Sequence, residues 1–174
     1  MKHPLSLFAH CPRCGSPRFD VSSEKSKRCG DCGFEYFLNP SAAVAAFIVN
    51  ARGELLVVRR AKEPARGTLD LPGGFCDLNE TAEESIRREV REETMLDVAE
   101  AVPLFSLPNQ YEYSGFVVPT MDWFFRCTVK GGGEAKACDD AAELMWISPG
   151  EIRPEQFGLQ SVRLAVAQFC KSME

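Results

Sequence analysis

Apolar and polar positions along the chain fall into short runs of two different periods, separated by Gly, Pro and Asn breakers. SAAVAAFIVN is apolar almost throughout, as a strand buried on both faces would be, and ELLVVRR follows it across a turn at Arg52-Gly53. KEPARGT reads as a loop broken by Pro64 and Gly67, and a short strand around Leu69–Leu71 leads into the pair Gly73-Gly74. Beyond a central helix come a strand near VAEAVPLFSL, a polar-aromatic loop NQYEYSGF and a strand MDWFFRCTV. Gly131-Gly132-Gly133 marks a turn, ELMWI a further strand, and SVRLAVAQF a closing helix whose Val162, Val166 and Phe169 share one stripe. Strands interleaved with two helices predict an α/β fold, a mixed sheet between helical layers. There is no internal repeat and no low-complexity tract.

The central helix carries the first chemical signal. Thr81 and Glu84 form a capping box, so the helix starts just after Thr81, and Ala82, Ile86 and Val90 make its core-facing stripe. Glu89, Glu92 and Glu93 stand at i, i+3 and i+4, gathered within roughly a 100° arc that overlaps the edge of that stripe. Crowded carboxylates at a half-buried edge repel one another and lose hydration, and a hard divalent cation such as Mg²⁺ or Mn²⁺ relieves both penalties. The competing reading is an exposed helix laced with Glu–Arg pairs, for which Arg87, Arg88 and Arg91 are at hand. Gly73-Gly74 favours the ion, because two residues without side chains let the backbone approach the helix and add a carbonyl ligand.

Charge and length narrow the classes. At 174 residues the chain can bury one core of ordinary size with a small appended module. Its net charge of −5 argues against a protein built to coat nucleic acid, whereas an acidic protein can act on phosphates if metal ions supply positive charge. No apolar run approaches the ~20 residues of a membrane span and MKHPLSLFAH lacks a signal-peptide core, so the expectation is a soluble, cytoplasmic protein with no membrane partner.

Eight cysteines then add a second signal, carried by spacing rather than number. Cys11 and Cys14, and Cys29 and Cys32, form two C-x-x-C knuckles that together can complete a tetrahedral Zn²⁺ site. Such a closed site has no open position for substrate, so the ion stabilises a segment too short to fold on its own core. Disulfides, or a redox C-x-x-C, are the alternatives. His10 precedes the first knuckle, but four cysteines leave it no vacancy; Cys76, Cys127, Cys138 and Cys170 lack ligand spacing and read as packing residues. The local charge of residues 1–40 is +2, too small a patch to support a DNA-binding claim.

From Gly74 to Leu96 the chain resembles the Nudix box, G-x5-E-x7-R-E-U-x-E-E-x-G-U with U aliphatic. Gly74, Glu80, Arg88, Glu89, Val90, Glu92, Glu93 and Leu96 fall in register, and Met95 stands where the pattern has glycine. The resemblance implies an α/β/α sandwich with a mixed sheet at residues 39–174, preceded by a zinc ribbon at 1–38, and hydrolysis of a nucleoside diphosphate linked to another group. It implies Glu89, Glu92 and Glu93 as Mg²⁺ or Mn²⁺ ligands, a carbonyl from Gly73 or Gly74, Arg88 as the group that orients a carboxylate, Glu80 as a brace, and a homodimer. Asp139, Asp140 and Glu143 occupy a stretch where relatives place an acid that activates water.

A ribbon ahead of such a domain is similar to the arrangement of NADH pyrophosphatases, but SLPNQYEYSGFVVP does not match their downstream signature. Pro108, Tyr111 and Tyr113 fall where other subfamilies carry a distinguishing proline or tyrosine, so ADP-ribose, NADH and dinucleoside polyphosphates stay open as substrate classes. Tyr111 and Tyr113 offer aromatic faces for a base. The rival to an enzyme is a Nudix-like nucleotide-binding or regulatory module that uses the ribbon to contact a partner.

Overall fold

The computed structural model describes residues 2–131, 135–136 and 141–172. Gly132, Gly133, Cys138, Asp139 and Asp140 lie outside that set. Three short antiparallel strands come first, β1 (Phe19–Ser23), β2 (Ser26–Cys29) and β3 (Glu35–Phe37), closing a small sheet against the cysteine knuckles. β4 (Ser41–Ile48), β7 (Gly73–Phe75), β8 (Val98–Tyr113) and β9 (Phe116–Val129) form a four-stranded sheet in the order β7-β4-β9-β8. It is mixed, since β4 runs parallel to β9 while the other pairs are antiparallel. β5 (Leu55–Arg60), β6 (Leu69–Asp70) and β10 (Ala141–Ile147) make an antiparallel sheet in the order β10-β5-β6.

Both faces of these sheets are covered, as the apolar run at 41–50 requires. Along β4, Ala45 and Phe47 enter one core cluster while Val44, Ala46 and Ile48 enter another. The first cluster packs under α2 (Gln160–Ser172) through Val162, Ala165 and Val166; the second packs under α1 (Ala82–Thr94) through Ile86 and Val90. β5 divides the same way, with Leu55 and Val57 toward α2 and Leu56 toward α1. The result is the α/β/α sandwich, with its expected helices and stripes.

The segment NQYEYSGF is not a loop. It continues β8 into β9 as one long hairpin, with Tyr113 paired to Phe116 around Ser114-Gly115. Both turn residues have positive φ, 51° and 71°, the pairing of a two-residue hairpin turn whose twist matches its strands. The polar residues that suggest a loop face a cleft, and their alternation with outward positions is that of a strand. β4 pairs with β9 only from Thr120 onward, so the tip of the hairpin projects beyond the sheet as two strands.

α1 begins at its capping box, with the Glu84 N–H donating to Thr81 Oγ1 at 3.1 Å and the Thr81 N–H donating to Glu84 Oε2 at 2.9 Å. It ends at Met95, whose φ of 61° is left-handed and whose N–H donates to the Arg91 carbonyl at 2.9 Å. The helix thus keeps the glycine-type ending with a methionine there, held by the Thr94 hydroxyl on the Val90 carbonyl and by Leu96 buried next to it. A side chain in this conformation costs on the order of 1–2 kcal/mol, and the Met95 side chain is mostly exposed, so little packing offsets the cost. Met95→Gly should therefore raise the melting temperature by about 2–4 °C, read by thermal denaturation; an unchanged or lower value would show that methionine is not strained.

Candidate active site

The glycine pair is fixed by two close approaches. β7 lies against β4, with Gly73 opposite Ala45 and Gly74 opposite Val44. Gly73 has φ +152°, and a Cβ there would drive into the Val44 carbonyl. A Cβ on Gly74 would sit 2.6–2.8 Å from the Glu89 carboxylate. Glycine is needed at both positions so that α1 and the strand can meet. The close approach is tied by an amide: the Gly73 N–H donates to Glu93 Oε2 at 3.0 Å.

Arg88 organises the acids of α1. Its guanidinium donates to Glu80 at 2.8 and 3.0 Å, to Glu89 at 2.9 Å, to Glu92 at 3.0 Å and to the Phe75 carbonyl at 3.0 Å. Glu80 also accepts from the Asp77 N–H at 3.0 Å, tying the loop before the helix to the same arginine. The Arg88 bonds hold the Glu80 carboxyl down at about 2, with the Asp77 N–H adding to the effect. Glu89 behaves oppositely, because burial pushes its carboxyl up against the pull of Arg88. Glu93 is buried, and the Glu92 side chain is about half exposed at 48%.

The three glutamates line one cleft but do not converge as tightly as the cysteines. Among the described residues, only the four cysteines have ligand atoms all within 4.8 Å of one another. Arg88 stands between Glu89 and Glu92, while Glu93 turns under Gly73. The donor set still suits a hard divalent cation: carboxylate oxygens at graded exposure, facing open volume, with an arginine already compensating their charge.

The cleft is about 510 Å³ and runs from Glu89, Glu92 and Glu93 across Gly73-Gly74 to Tyr111 and Asn109. That is ample for a nucleotide. Tyr111 stands on β8 rather than on a loop, edge-on to Phe75 with ring centroids 5.2 Å apart, its hydroxyl accepting from Arg60 at 3.1 Å. Tyr113 lines the mouth and is 65% exposed. Of the acids expected in that stretch, Asp139 and Asp140 lie outside the described residues, and Glu143 lies on β10, bonded to Arg59 at 3.0 Å and not among the side chains lining the cleft.

Sequence reasoning missed the inner end. Arg60 donates to Asp70 at 2.6 Å, and Asp122 accepts from Thr120 at 2.6 Å and Ser161 at 2.5 Å, all facing the same cleft or bracing its wall. Burial pushes the Asp70 carboxyl up, with Arg60 opposing the shift and Asp122 adding to it. The available signal was an aspartate inside each of two apolar strand runs, LDL and MDWFF.

The cysteine cluster is set by two equivalent knuckles. In the first the Cys11 N–H donates to the Ser16 carbonyl and the Gly15 N–H to Cys11; in the second Cys29 and Gly33 repeat both bonds with Phe34 and Cys29. Sγ separations of 3.7 Å (Cys11–Cys32) and 3.6 Å (Cys14–Cys29) approach the roughly 3.8 Å edge of a tetrahedron with 2.3 Å Zn–S bonds. The site fits zinc.

Residues 39–166 match the family model described as the NUDIX domain. This chain belongs to the NUDIX family. As a Nudix hydrolase it is 33% identical over 124 residues to a MutT-like protein of Streptomyces ambofaciens, covering 71% of this chain and 74% of that protein. It is 35% identical over 112 residues to an ADP-ribose pyrophosphatase of Methanocaldococcus jannaschii, covering 63% of each chain. A NAD-capped RNA hydrolase NudC of Pseudomonas entomophila is 24% identical over 156 residues, which is 90% of this chain but 54% of that one. The chain thus spans about half the length of that relative. The fold is shared with a NUDIX hydrolase from Nitrosomonas europaea, with a TM-score of 0.72 over 94% of this chain and 90% of the other at 20% identity. Among the described residues no helix is long and apolar enough to cross a membrane.

The Glu80–Arg88 link predicts an acid sensitivity of stability. Glu80 titrates at about 2 when folded against an ordinary value of 4.5, so its contribution is complete above about pH 4.5 and is lost as pH falls toward 2. Urea titrations should show Glu80→Gln less stable than the native chain at pH 7, with the gap at pH 2.5 reduced to about a quarter; an equal gap at both would remove the link.

Proposed function

We propose that this Nudix hydrolase cleaves the phosphoanhydride of a nucleoside diphosphate linked to another group, the class that includes ADP-ribose, NADH and dinucleoside polyphosphates. The observation that carries the reading is one continuous cleft that joins the α1 glutamates to the aromatic side chains of Phe75, Tyr111 and Tyr113. Glu89, Glu92 and Glu93 are the residues that would hold Mg²⁺ or Mn²⁺. Bound there, the metal supplies charge neutralisation on the phosphates and a more acidic water.

The chain's own residues do the rest. Arg88 bonds both Glu89 and Glu92 and so restrains the two carboxylates at the edge of the cleft. Glu93 pins the Gly73 amide and with it the strand that forms the phosphate-side wall. Tyr111, steadied by Arg60 and Phe75, presents a face to the far half of the substrate, and Tyr113 closes over the mouth. Attack at phosphorus needs this positioning and electrostatics more than covalent help.

We read residues 1–38 as a structural zinc module and 39–174 as the hydrolase domain, in a cytoplasmic setting where thiols stay reduced. The relative named ADP-ribose pyrophosphatase supports the diphosphate class, and the smaller span of the NudC match gives less support to NAD-capped RNA.

A panel of ADP-ribose, NADH and diadenosine polyphosphates with Mg²⁺ or Mn²⁺ should show release of a nucleoside monophosphate, and Glu92→Gln should slow it by about 10²-fold or more with an unchanged circular dichroism spectrum. Binding without turnover under either metal would make the protein a nucleotide-binding module instead. Metal analysis of chain purified without chelator should find one zinc per molecule, falling to none on replacement of Cys11 and Cys29 by serine; no zinc in the native chain would contradict the ribbon.

A further inference from the structure

We propose that Asn109 is a specificity-determining residue that reads the base of the substrate, and that it selects a 6-aminopurine over a 6-oxopurine. The inference deepens the proposed function and rests on it. On β8, Phe105, Leu107, Asn109 and Tyr111 share one face, directly opposite Phe124, Asp122, Thr120 and Val118 of β9. That face is apolar where α2 covers it, through Phe105, Leu107 and Phe124. It turns polar at Asn109, Thr120 and Asp122, all of them buried. Buried polar side chains in a strand need partners, and Thr120 and Asp122 have theirs in each other and in Ser161.

Asn109 does not. It is only 9% exposed, lines the cleft and makes no side-chain hydrogen bond with any described residue. No fully enclosed side-chain polar atom among the described residues is left unpartnered, so the Asn109 carboxamide reaches the free volume of the cleft. Tyr111 lies two residues along the same face, about 6.7 Å away in strand rise, close to the width of a purine. A base stacked against Tyr111 or Phe75 therefore presents its edge to Asn109.

The chemistry of that edge follows from what is unspent. A carboxamide offers one donor and one acceptor side by side, which matches the N6–H and N7 of adenine. Guanine and hypoxanthine also carry an adjacent acceptor and donor, O6 and N1–H, so the carboxamide alone does not choose between the two purine classes and the side chains around it must. A 6-oxo group turned into the cleft would bring an acceptor toward Asp122, which lines the same cleft and already accepts two hydroxyls. An amino group there meets acceptors instead.

The test compares ADP-ribose with inosine diphosphate ribose and guanosine diphosphate ribose under Mn²⁺, in the full-length protein. The native chain should favour ADP-ribose by about 10-fold or more in kcat/KM, carried by KM. Asn109→Leu should bring the three substrates to within about 2-fold through a higher KM for ADP-ribose, and Asn109→Asp, which keeps the size but offers two acceptors, should lose the preference for ADP-ribose over guanosine diphosphate ribose. Turnover with equal or reversed base preference in the native chain overturns the inference, as does a preference that survives both substitutions. No turnover of any substrate counts against the proposed function instead. Calorimetric binding of AMP against IMP then decides Asn109 independently: tighter AMP binding supports it, and equal or weaker binding overturns it.

Discussion

The structure turns on one guanidinium. Arg88 sits on α1 at a point where Glu80, Glu89, Glu92 and the Phe75 carbonyl all come within hydrogen-bonding distance of it. Each partner ties it to a separate part of the fold, since Glu80 belongs to the loop that enters the helix, Phe75 to the strand beyond the glycine pair, and Glu89 and Glu92 to the open cleft. A planar five-donor group can serve all of them at once, and a lysine ammonium could not. Without a cation at this point, α1 would present a row of like charges to a half-buried edge, and β7 would keep only its pairing with β4 and the Gly73–Glu93 bond to hold it close.

From that constraint the rest of the cleft follows. Because β7 is drawn against both β4 and α1, no Cβ fits at Gly73 or Gly74, and the strand leaves a floor of bare backbone. The long hairpin β8–β9 supplies the opposite wall, and α2 stops short of its outer half, so the polar residues of that face look into space rather than into a core. The two helices thus divide the labour: α1 brings charge to one end, and the place where α2 begins determines how deep the other end reaches.

Much of this was legible in the sequence. The capping box at Thr81, the stripe of Ile86 and Val90, and the two-sided apolar run of β4 announce themselves by local pattern, because their periods are set by backbone geometry that context does not alter. The knuckles are legible for a similar reason, since ligand spacing is itself the constraint. What the sequence hid depends on long-range pairing. NQYEYSGF looks like a loop until Tyr113 is seen opposite Phe116, and Asp70 and Asp122 look incidental until β6 and β9 are folded beside one cleft. Glu143 misleads in the other direction, for its bond to Arg59 on the neighbouring strand is invisible from spacing alone. Met95 departs from the family pattern without moving the helix end, because the Thr94 hydroxyl and buried Leu96 hold the same turn.

The hairpin tip has one further neighbour. Phe8, ahead of the first knuckle, stacks with Tyr36 of the small sheet and meets Phe116 edge-on at 5.5 Å between centroids. Phe116 is the register partner of Tyr113, on the part of the hairpin that no third strand supports. The cysteine module therefore also braces the hairpin beside the cleft mouth: whatever loosens the cysteine cluster also weakens the aromatic contact that steadies that overhang.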